Sequence, residues 1–317
     1  MPSNRPLDRG FLVAQREFGA TVRSTGFIIS ALVCVAVPVV LLVMLSIEDG
    51  RRAKGSAPLP VPPSAMLPRA APPQEQVAGR LGTARQDKIR DPFGIGAAFF
   101  FVFIMFLGTV GIANYMFTSV IEEKNNRTIE VLLSAVSPIE LMAGKIAGLA
   151  AAGLLEVSIT VVLLFAVALS QGLVGAIHPL RLVLFLVYYI LGFVFAASVF
   201  AAVGAPFNSA RDAQSLMMPV ILVYILPMNL ILQIVKAPSG WLAVLLSYFP
   251  PTAATTMVLR ITFDPGIGLV EVGLSLLLLG ASVVCAVWAA TRVFRTGILM
   301  YGKPPKIGEI LRWVRQG

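Results

Sequence analysis

The stretch LVLFLVYYILGFVFAASVFAAVG, residues 182–204, contains no charged side chain. A helix needs about 20 mostly apolar residues to cross the hydrocarbon core of a bilayer, so this stretch predicts a membrane span. Other uncharged stretches of similar length begin at Thr25, Pro92, Val157, Ala213 and Val272. The alternating segments of about ten residues that build membrane β-barrels are absent from the sequence, which leaves a helical bundle.

The composition agrees with a chain that lies in lipid. Hydrophobic residues make up 57% of the sequence and charged residues 13%, and the mean hydropathy is +0.85. We therefore predict an all-α polytopic membrane protein with six transmembrane helices. The predicted spans are residues 25–47, 92–121, 145–170, 181–204, 213–235 and 270–291.

The segments outside the spans differ in character, but with the spans they form one membrane domain. Residues 1–24 predict an interfacial amphipathic helix, with Phe11, Phe18 and Val22 on one face, although a solvated basic tail is the alternative. Residues 48–91 form an external Pro-rich linker, residues 122–144 a cytosolic segment, and residues 292–317 a cytosolic tail with an amphipathic helix from Ile307 to Val314.

Residues 237–262 are mostly apolar but are interrupted by prolines, among them Pro250 and Pro251, and their unbroken apolar run is too short to cross a bilayer. We expect this segment to be an outer re-entrant element between spans 5 and 6. An even number of spans places both basic ends on the cytoplasmic side, where anionic lipids account for the net charge of +9 without any nucleic acid.

The charged stretch IEEKNNRTIEVLLSAVSPIELMAGK, residues 121–145, lies between spans 2 and 3. Its apolar residues Ile129, Leu132, Leu133 and Val136 have the spacing of one helix face. A regular order of charges on such a helix favours a docking surface for a cytosolic protein over a plain loop.

A second helix is predicted to start directly after this one. Ser137, Pro138 and Glu140 match a capping box, with Ser137 as the N-cap and Pro138 in the first helical position. Further along, Gly144, Gly148 and Ala152 repeat every four residues, a spacing that lets membrane helices approach closely. The two helices should therefore meet at a fixed corner.

Three polar residues within the predicted spans are candidates for a substrate pathway. Glu156 should lie roughly 16 Å deep, facing a cavity, a cation or a partner helix, or else protonated and bonded to a neighbouring backbone. Asn229 and Gln233, one turn apart, either line a pathway or join helices. The sequence predicts no metal site and no catalytic residue.

The stretch at 121–145 resembles the coupling segment of ABC type-2 exporter permeases, in particular the sodium-efflux NatB-like branch. The matching residues are Glu122, Glu123, Lys124, Asn126, Arg127, Thr128, Glu130, Leu132, Leu133, Ser137, Pro138, Glu140, Gly144 and Lys145. Two further segments, Tyr248 to Arg260 and Phe294 to Trp313, are similar to the outer element and the tail of the same branch. Those relatives usually carry a folded external domain where this chain has its Pro-rich linker.

The resemblance implies a permease subunit in a prokaryotic inner membrane, docked on a separate nucleotide-binding ATPase and paired with a second permease chain as a homodimer or heterodimer. ATP and Mg would be bound by the ATPase, because this sequence has no G-x-x-x-x-G-K-[ST] motif and so is not itself an enzyme. Sodium, a lipid-like molecule, a peptide or a drug could be the substrate. The alternative is an ATP-independent carrier or a membrane anchor.

Overall fold

The computed structural model describes residues 6–34, 36, 40, 99, 102–126, 128–170, 179–207, 209–264 and 266–298. Within these ranges the regular structure is helical throughout. The helices are α1 Pro6–Val22, α2 Thr25–Cys34, α3 Val102–Asn125, α4 Thr128–Ala135, α5 Pro138–Ser170, α6 Pro179–Gly204, α7 Ala210–Asn229, α8 Ile231–Lys236, α9 Trp241–Tyr248, α10 Pro250–Phe263 and α11 Leu269–Ile298.

Four helices in the described part of the chain are long and apolar enough to cross a membrane. They are α3, α5, α6 and α11, which overlap the predicted second, third, fourth and sixth spans. For the first predicted span the structure describes a shorter apolar helix, α2, and most of residues 35–47 lie outside the described residues. The Pro-rich linker at 48–91 and the tail helix from Ile307 to Val314 also lie outside them.

The segment predicted as the fifth span, residues 213–235, is not one continuous helix. Helix α7 ends at Asn229, Leu230 has φ −101° and ψ 8°, and α8 begins at Ile231. Helix α7 also contains Pro219 and Pro227, each of which removes an N–H donor from the helix. The predicted span is therefore divided between two helices, and α7 does not meet the apolarity of the four candidate spans.

The segment predicted to be re-entrant, residues 237–262, folds as two helices joined at a bend. Phe249 ends α9 in an extended conformation, with φ −81° and ψ 113°. Pro250 and Pro251 then occupy the first turn of α10, where a missing N–H leaves no helical hydrogen bond unmade. The side of the membrane on which this helix pair lies stays a prediction.

Helix α6 is the central element of the bundle, since it packs against α3, α10 and α11. Small residues allow these contacts to be close. A Cβ atom on Gly192 would lie 2.7 Å from the Cβ of Ala254 on α10, and one on Gly204 would lie 3.0 Å from the carbonyl oxygen of Phe117 on α3. Backbones that approach this closely add van der Waals contact, which drives helix association in lipid.

Helix α1 packs along the first half of α5, and the predicted small-residue stripe is what allows it. A Cβ atom on Gly144 would lie 2.7 Å from the carbonyl oxygen of Gly10, and one on Gly148 would lie 2.4 Å from that of Ala14. Close helix packing at these glycines is confirmed.

The face of α1 that packs against α5 differs from the apolar face predicted to lie on the membrane, and the interfacial position of that apolar face stays a prediction. Val13, Glu17 and Thr21 are the buried residues of this helix, whereas Phe11 is 68% exposed and Phe18 is half-buried. The glycines of α5 offer a shallow backbone surface that accepts the small and medium side chains of α1. The contact face with α5 is therefore set by the shape of α5, which the apolar pattern of α1 does not show.

We predict that Gly148→Ala lowers the thermal unfolding temperature of the purified protein, because the added methyl group meets backbone that cannot give way. Overpacking of this kind costs about 1–3 kcal/mol. Gly280→Ala on α11 is the matched control, since nothing lies within 4 Å of its added Cβ and alanine favours the helix. Equal unfolding temperatures for the two variants would contradict the close α1–α5 contact.

Candidate functional site

Helix α4 and the first turn of α5 meet at a tight bend, which we call the corner (residues 128–141). The backbone N–H of Ser137 donates a hydrogen bond of 2.8 Å to Glu140 Oε2, and the N–H of Glu140 donates one of 3.3 Å to Ser137 Oγ. These reciprocal bonds confirm the predicted capping box. They satisfy two N–H groups that the start of a helix otherwise leaves without partners.

The corner presents apolar side chains on both its inner and outer surfaces. Leu132, Leu133 and Val136 pack against the hydrophobic core, as their spacing predicted. On the outer surface Val131 is 70% exposed and Ile139 is 65% exposed. No pattern in the sequence predicted this second pair, because neither residue belongs to the apolar stripe.

Helix α1, near the amino terminus, contacts the corner through one side chain. The guanidinium group of Arg9 on α1 donates a hydrogen bond of 3.0 Å to the carbonyl oxygen of Ala135. Ala135 is the last residue of α4, where carbonyl groups have no partner within the helix and carry partial negative charge. The contact therefore joins α1 to the end of α4.

A buried ion cluster lies behind the corner where α1, α3 and α5 meet. The ammonium group of Lys145, which solvent does not reach, lies 3.1 Å from Glu17 Oε1 and 3.0 Å from Glu123 Oε2. It also donates a hydrogen bond of 2.6 Å to Ser119 Oγ. Arg16 adds a further ion pair of 3.2 Å to Glu123. Each helix thus contributes at least one charge to a shared network.

Lys124, the next residue along α3, is fully buried on a different side of the helix. Its ammonium group donates hydrogen bonds to the carbonyl oxygens of Ala205 at 3.2 Å, Pro206 at 3.3 Å and Gly297 at 2.7 Å. The first two residues directly follow α6, and the third lies at the end of α11. A cation near such carbonyl groups is favourable, so Lys124 fastens α3 to both helices.

Some residues predicted to contact a partner protein therefore have a different position. Glu123 and Lys124 face the protein interior, because each finds its counter-charge or acceptors on neighbouring helices. Glu122 and Asn126 are exposed, whereas Arg127 and the side chains of Thr128 and Glu130 lie outside the described residues. The role of this segment in coupling stays a prediction, but Glu123 and Lys124 are not surface charges.

A polar cavity of about 420 Å³ opens beside the ion cluster, between α1 and α3. Its lining includes Glu17, Tyr115, Glu122 and Glu123. Sequence analysis could not find this cavity, because its walls come from segments about a hundred residues apart. Among the described residues, no group of three or more His, Cys, Asp or Glu side chains is arranged to hold a metal ion.

Of the predicted pathway residues, the structure buries only Glu156. Its Oε1 atom accepts hydrogen bonds from Ser30 Oγ and from Cys34 Sγ, the latter at 3.2 Å, both on α2. Asn229 and Gln233 are exposed, and they lie on separate helices, α7 and α8. No hydrogen bond within the described part of the chain joins either of them to Glu156.

The structure also reveals a buried arginine that sequence analysis missed. The guanidinium group of Arg260 on α10 donates hydrogen bonds to Ser247 Oγ at 3.2 Å and to the carbonyl oxygen of Pro238. It forms an ion pair of 2.8 Å with Glu271 on α11. The signal was a lone charge at the end of an otherwise uncharged segment. Arg260 therefore connects α9, α10 and α11 next to the bend at Pro250 and Pro251.

Comparisons of this sequence with known proteins find a matching family and similar relatives. Residues 83–292 match the model of a family described as ABC-2 family transporter protein. An uncharacterized protein of Methanocaldococcus jannaschii is 32% identical over 67% of this chain and 52% of its own length. The uncharacterized protein YhaP of Bacillus subtilis is 22% identical over 70% of this chain and 55% of its own length. The chain thus spans about half the length of these curated relatives.

We predict that Lys145→Met strongly destabilises the protein, because it leaves Glu17 and Glu123 buried without the ammonium group that they share. Breaking a buried ion pair by removing one partner costs about 3–5 kcal/mol. Adding Glu17→Gln should recover part of this loss, since one uncompensated carboxylate is removed. Thermal unfolding of the single and double variants measures the effect.

Lys236→Met on α8 is the matched control, because this lysine is exposed and its replacement should change stability by no more than about 0.5 kcal/mol. The ion cluster would be dispensable if Lys145→Met were as stable as this control.

Proposed function

This chain belongs to the ABC-2 family of transporter proteins, and we propose that it is the permease subunit of an ATP-driven exporter that docks on a separate nucleotide-binding ATPase through the corner. Family membership and the long apolar helices establish a multi-pass membrane protein of the ABC transporter class. The docking partner, the ATP-driven cycle and the placement of the corner in the cytoplasm belong to the proposal.

The observation that carries this proposal is the pair of exposed apolar side chains on a rigid corner. Val131 and Ile139 project from a bend that the capping box and the Arg9 contact both fix. Apolar side chains held on a rigid element are the usual anchors of a protein interface, and a charge beside the corner such as Arg9 would belong to its polar rim. A loop that only connects two spans needs neither feature.

The contacts behind the corner suit it to transmitting force. Lys145 and Glu123 connect the start of α5 and the end of α3 to α1. Lys124 connects α3 to the ends of α6 and α11. A displacement of the corner by a partner would therefore act on four membrane helices at once. Rigid elements with discrete packing arrangements are the means by which such motion travels through a protein.

Family membership and the sequence support the remaining features of the proposal. This sequence contains no phosphate-binding loop of the type G-x-x-x-x-G-K-[ST], so ATP and Mg would be bound by the partner. We infer that two permease chains, identical or different, enclose the substrate pathway in the inner membrane of a prokaryote with both termini in the cytoplasm, and alternate its access. The NatB-like branch and its substrate sodium remain one hypothesis within this frame.

We predict that the double substitution Val131→Asp and Ile139→Asp abolishes co-purification with the co-expressed ABC ATPase while the permease still folds. Each side chain is mostly exposed, so the change costs little stability. Loss of central apolar anchors in an interface commonly costs 2 kcal/mol or more, so we expect the apparent Kd to rise by more than about tenfold.

The matched control is Trp241→Gln on α9, because Trp241 is 77% exposed but belongs to a different part of the chain. Co-purification of the ATPase with the double variant at the level of this control would contradict docking through the corner. Failure of the wild-type protein to bind any ABC ATPase would instead favour a carrier or anchor that works without ATP.

A further inference from the structure

One buried carboxyl group, that of Glu156 on α5, accepts hydrogen bonds from helix α2. Glu156 is 1% exposed, and both groups that donate to its Oε1 atom, Ser30 and Cys34, lie on α2 one turn apart. The Oε2 atom is also buried, and it has no hydrogen-bond partner among the residues that the structure describes. The carboxyl group is therefore satisfied on one oxygen only.

The surroundings of Glu156 contain no described cation. The four ion pairs in the described part of the chain involve other carboxylates. Among the described residues, the titratable groups that face Glu156 are the thiol of Cys34 on α2 and the hydroxyl of Tyr189 on α6, which donates to the carbonyl oxygen of Gly153 at 3.3 Å. On α5 itself, Thr160 donates only to the backbone carbonyl of Glu156. Within the described part of the chain, no positive charge is thus available to balance a carboxylate.

A negative charge at this position would be unfavourable for two reasons that act together. The group lies inside a helix long and apolar enough to span a membrane, and burial disfavours a charged form that no described counter-charge compensates. A carboxyl group in such surroundings takes up a proton instead. If α2 separated from α5, water would reach the carboxyl group, and the charged form would become much less costly.

We propose that Glu156 is a proton-binding site that acts as a latch between α2 and α5. The carboxyl group holds its proton while Ser30 and Cys34 are packed against it, and it releases the proton to water when α2 moves away. Only the O–H bond breaks in this step, and the electron pair stays on the carboxylate. Proton binding does not depend on the proposed function, whereas the use of the latch in a transport cycle rests on it.

The first experiment asks whether Glu156 carries a proton. Infrared spectra of the full-length protein in phosphatidylcholine vesicles are recorded across a pH series, and the spectrum of Glu156→Gln is subtracted from that of the wild type. We expect the C=O stretching band of a protonated carboxyl group at neutral pH, lost only at alkaline pH. Carboxylate bands at neutral pH would overturn the proposal. Glu122→Gln is the matched control, and its exposed carboxyl should give carboxylate bands.

Ser30→Ala keeps the Glu156 carboxyl group. It therefore tests the same contact if the Glu156→Gln variant does not fold. It removes one hydrogen bond from Oε1, which in the neutral acid is the carbonyl oxygen, so the C=O band should shift to higher frequency. A band that stays at the wild-type frequency would show that it does not arise from Glu156 in this contact, which also overturns the proposal.

The second experiment asks whether proton release opens the contact. Cys285 is exposed, so it is replaced by Ser, and the alkylation rate of buried Cys34 by a water-soluble maleimide is measured against pH. Alkaline pH raises thiol reactivity in every variant, so the informative quantity is the ratio of rates in proteins with Glu156 and with Glu156→Gln. We expect this ratio to rise several-fold as the infrared band disappears. A constant ratio overturns the latch, and neither experiment requires an ATPase.

Discussion

The ammonium group of Lys145 meets the carboxylates of Glu17 and Glu123 where solvent does not reach, and the arrangement of the surrounding helices depends on this contact. A buried charge is tolerated only when its partners are held in place around it. Helix α1 must therefore lie against α5, and α3 must end where Glu123 can reach Lys145. The glycines of α5 make this geometry possible, because they let the backbone of α1 approach closely enough for the ion pair to form.

The same principle governs the other charged groups inside the bundle. Lys124 is balanced by carbonyl oxygens at the ends of two helices, and Arg260 by a carbonyl oxygen, a hydroxyl group and Glu271. Lys124 connects three helices next to the corner, and Arg260 connects three helices at the α9–α10 pair. Glu156 differs, because its described contacts are donors to one oxygen and contain no charge of opposite sign. It is therefore the buried charge-bearing group best suited to change its state.

Local rules predicted much of this structure correctly. The long uncharged stretches became the helices α3, α5, α6 and α11, since the backbone of a membrane protein must satisfy its own hydrogen bonds. The S-P-x-E pattern became the reciprocal bonds of Ser137 and Glu140, which involve only neighbouring residues. The break at Leu230 was missed, because an apolar stretch does not show where a helix will bend. The buried face of α1 was missed because it depends on the shape of α5 as well as on α1.

By itself, the amino-acid sequence determined the helical membrane class, the positions of the long apolar helices and the capped corner, because these depend on residues within a few turns of one another. Only the tertiary structure decided which charges face inward. Glu123 and Lys124 are adjacent in the sequence, yet one pairs with α1 and α5 and the other with α6 and α11. Whether a charge is on the surface depends on a partner that is distant in sequence, and only the folded chain brings that partner within a few ångströms.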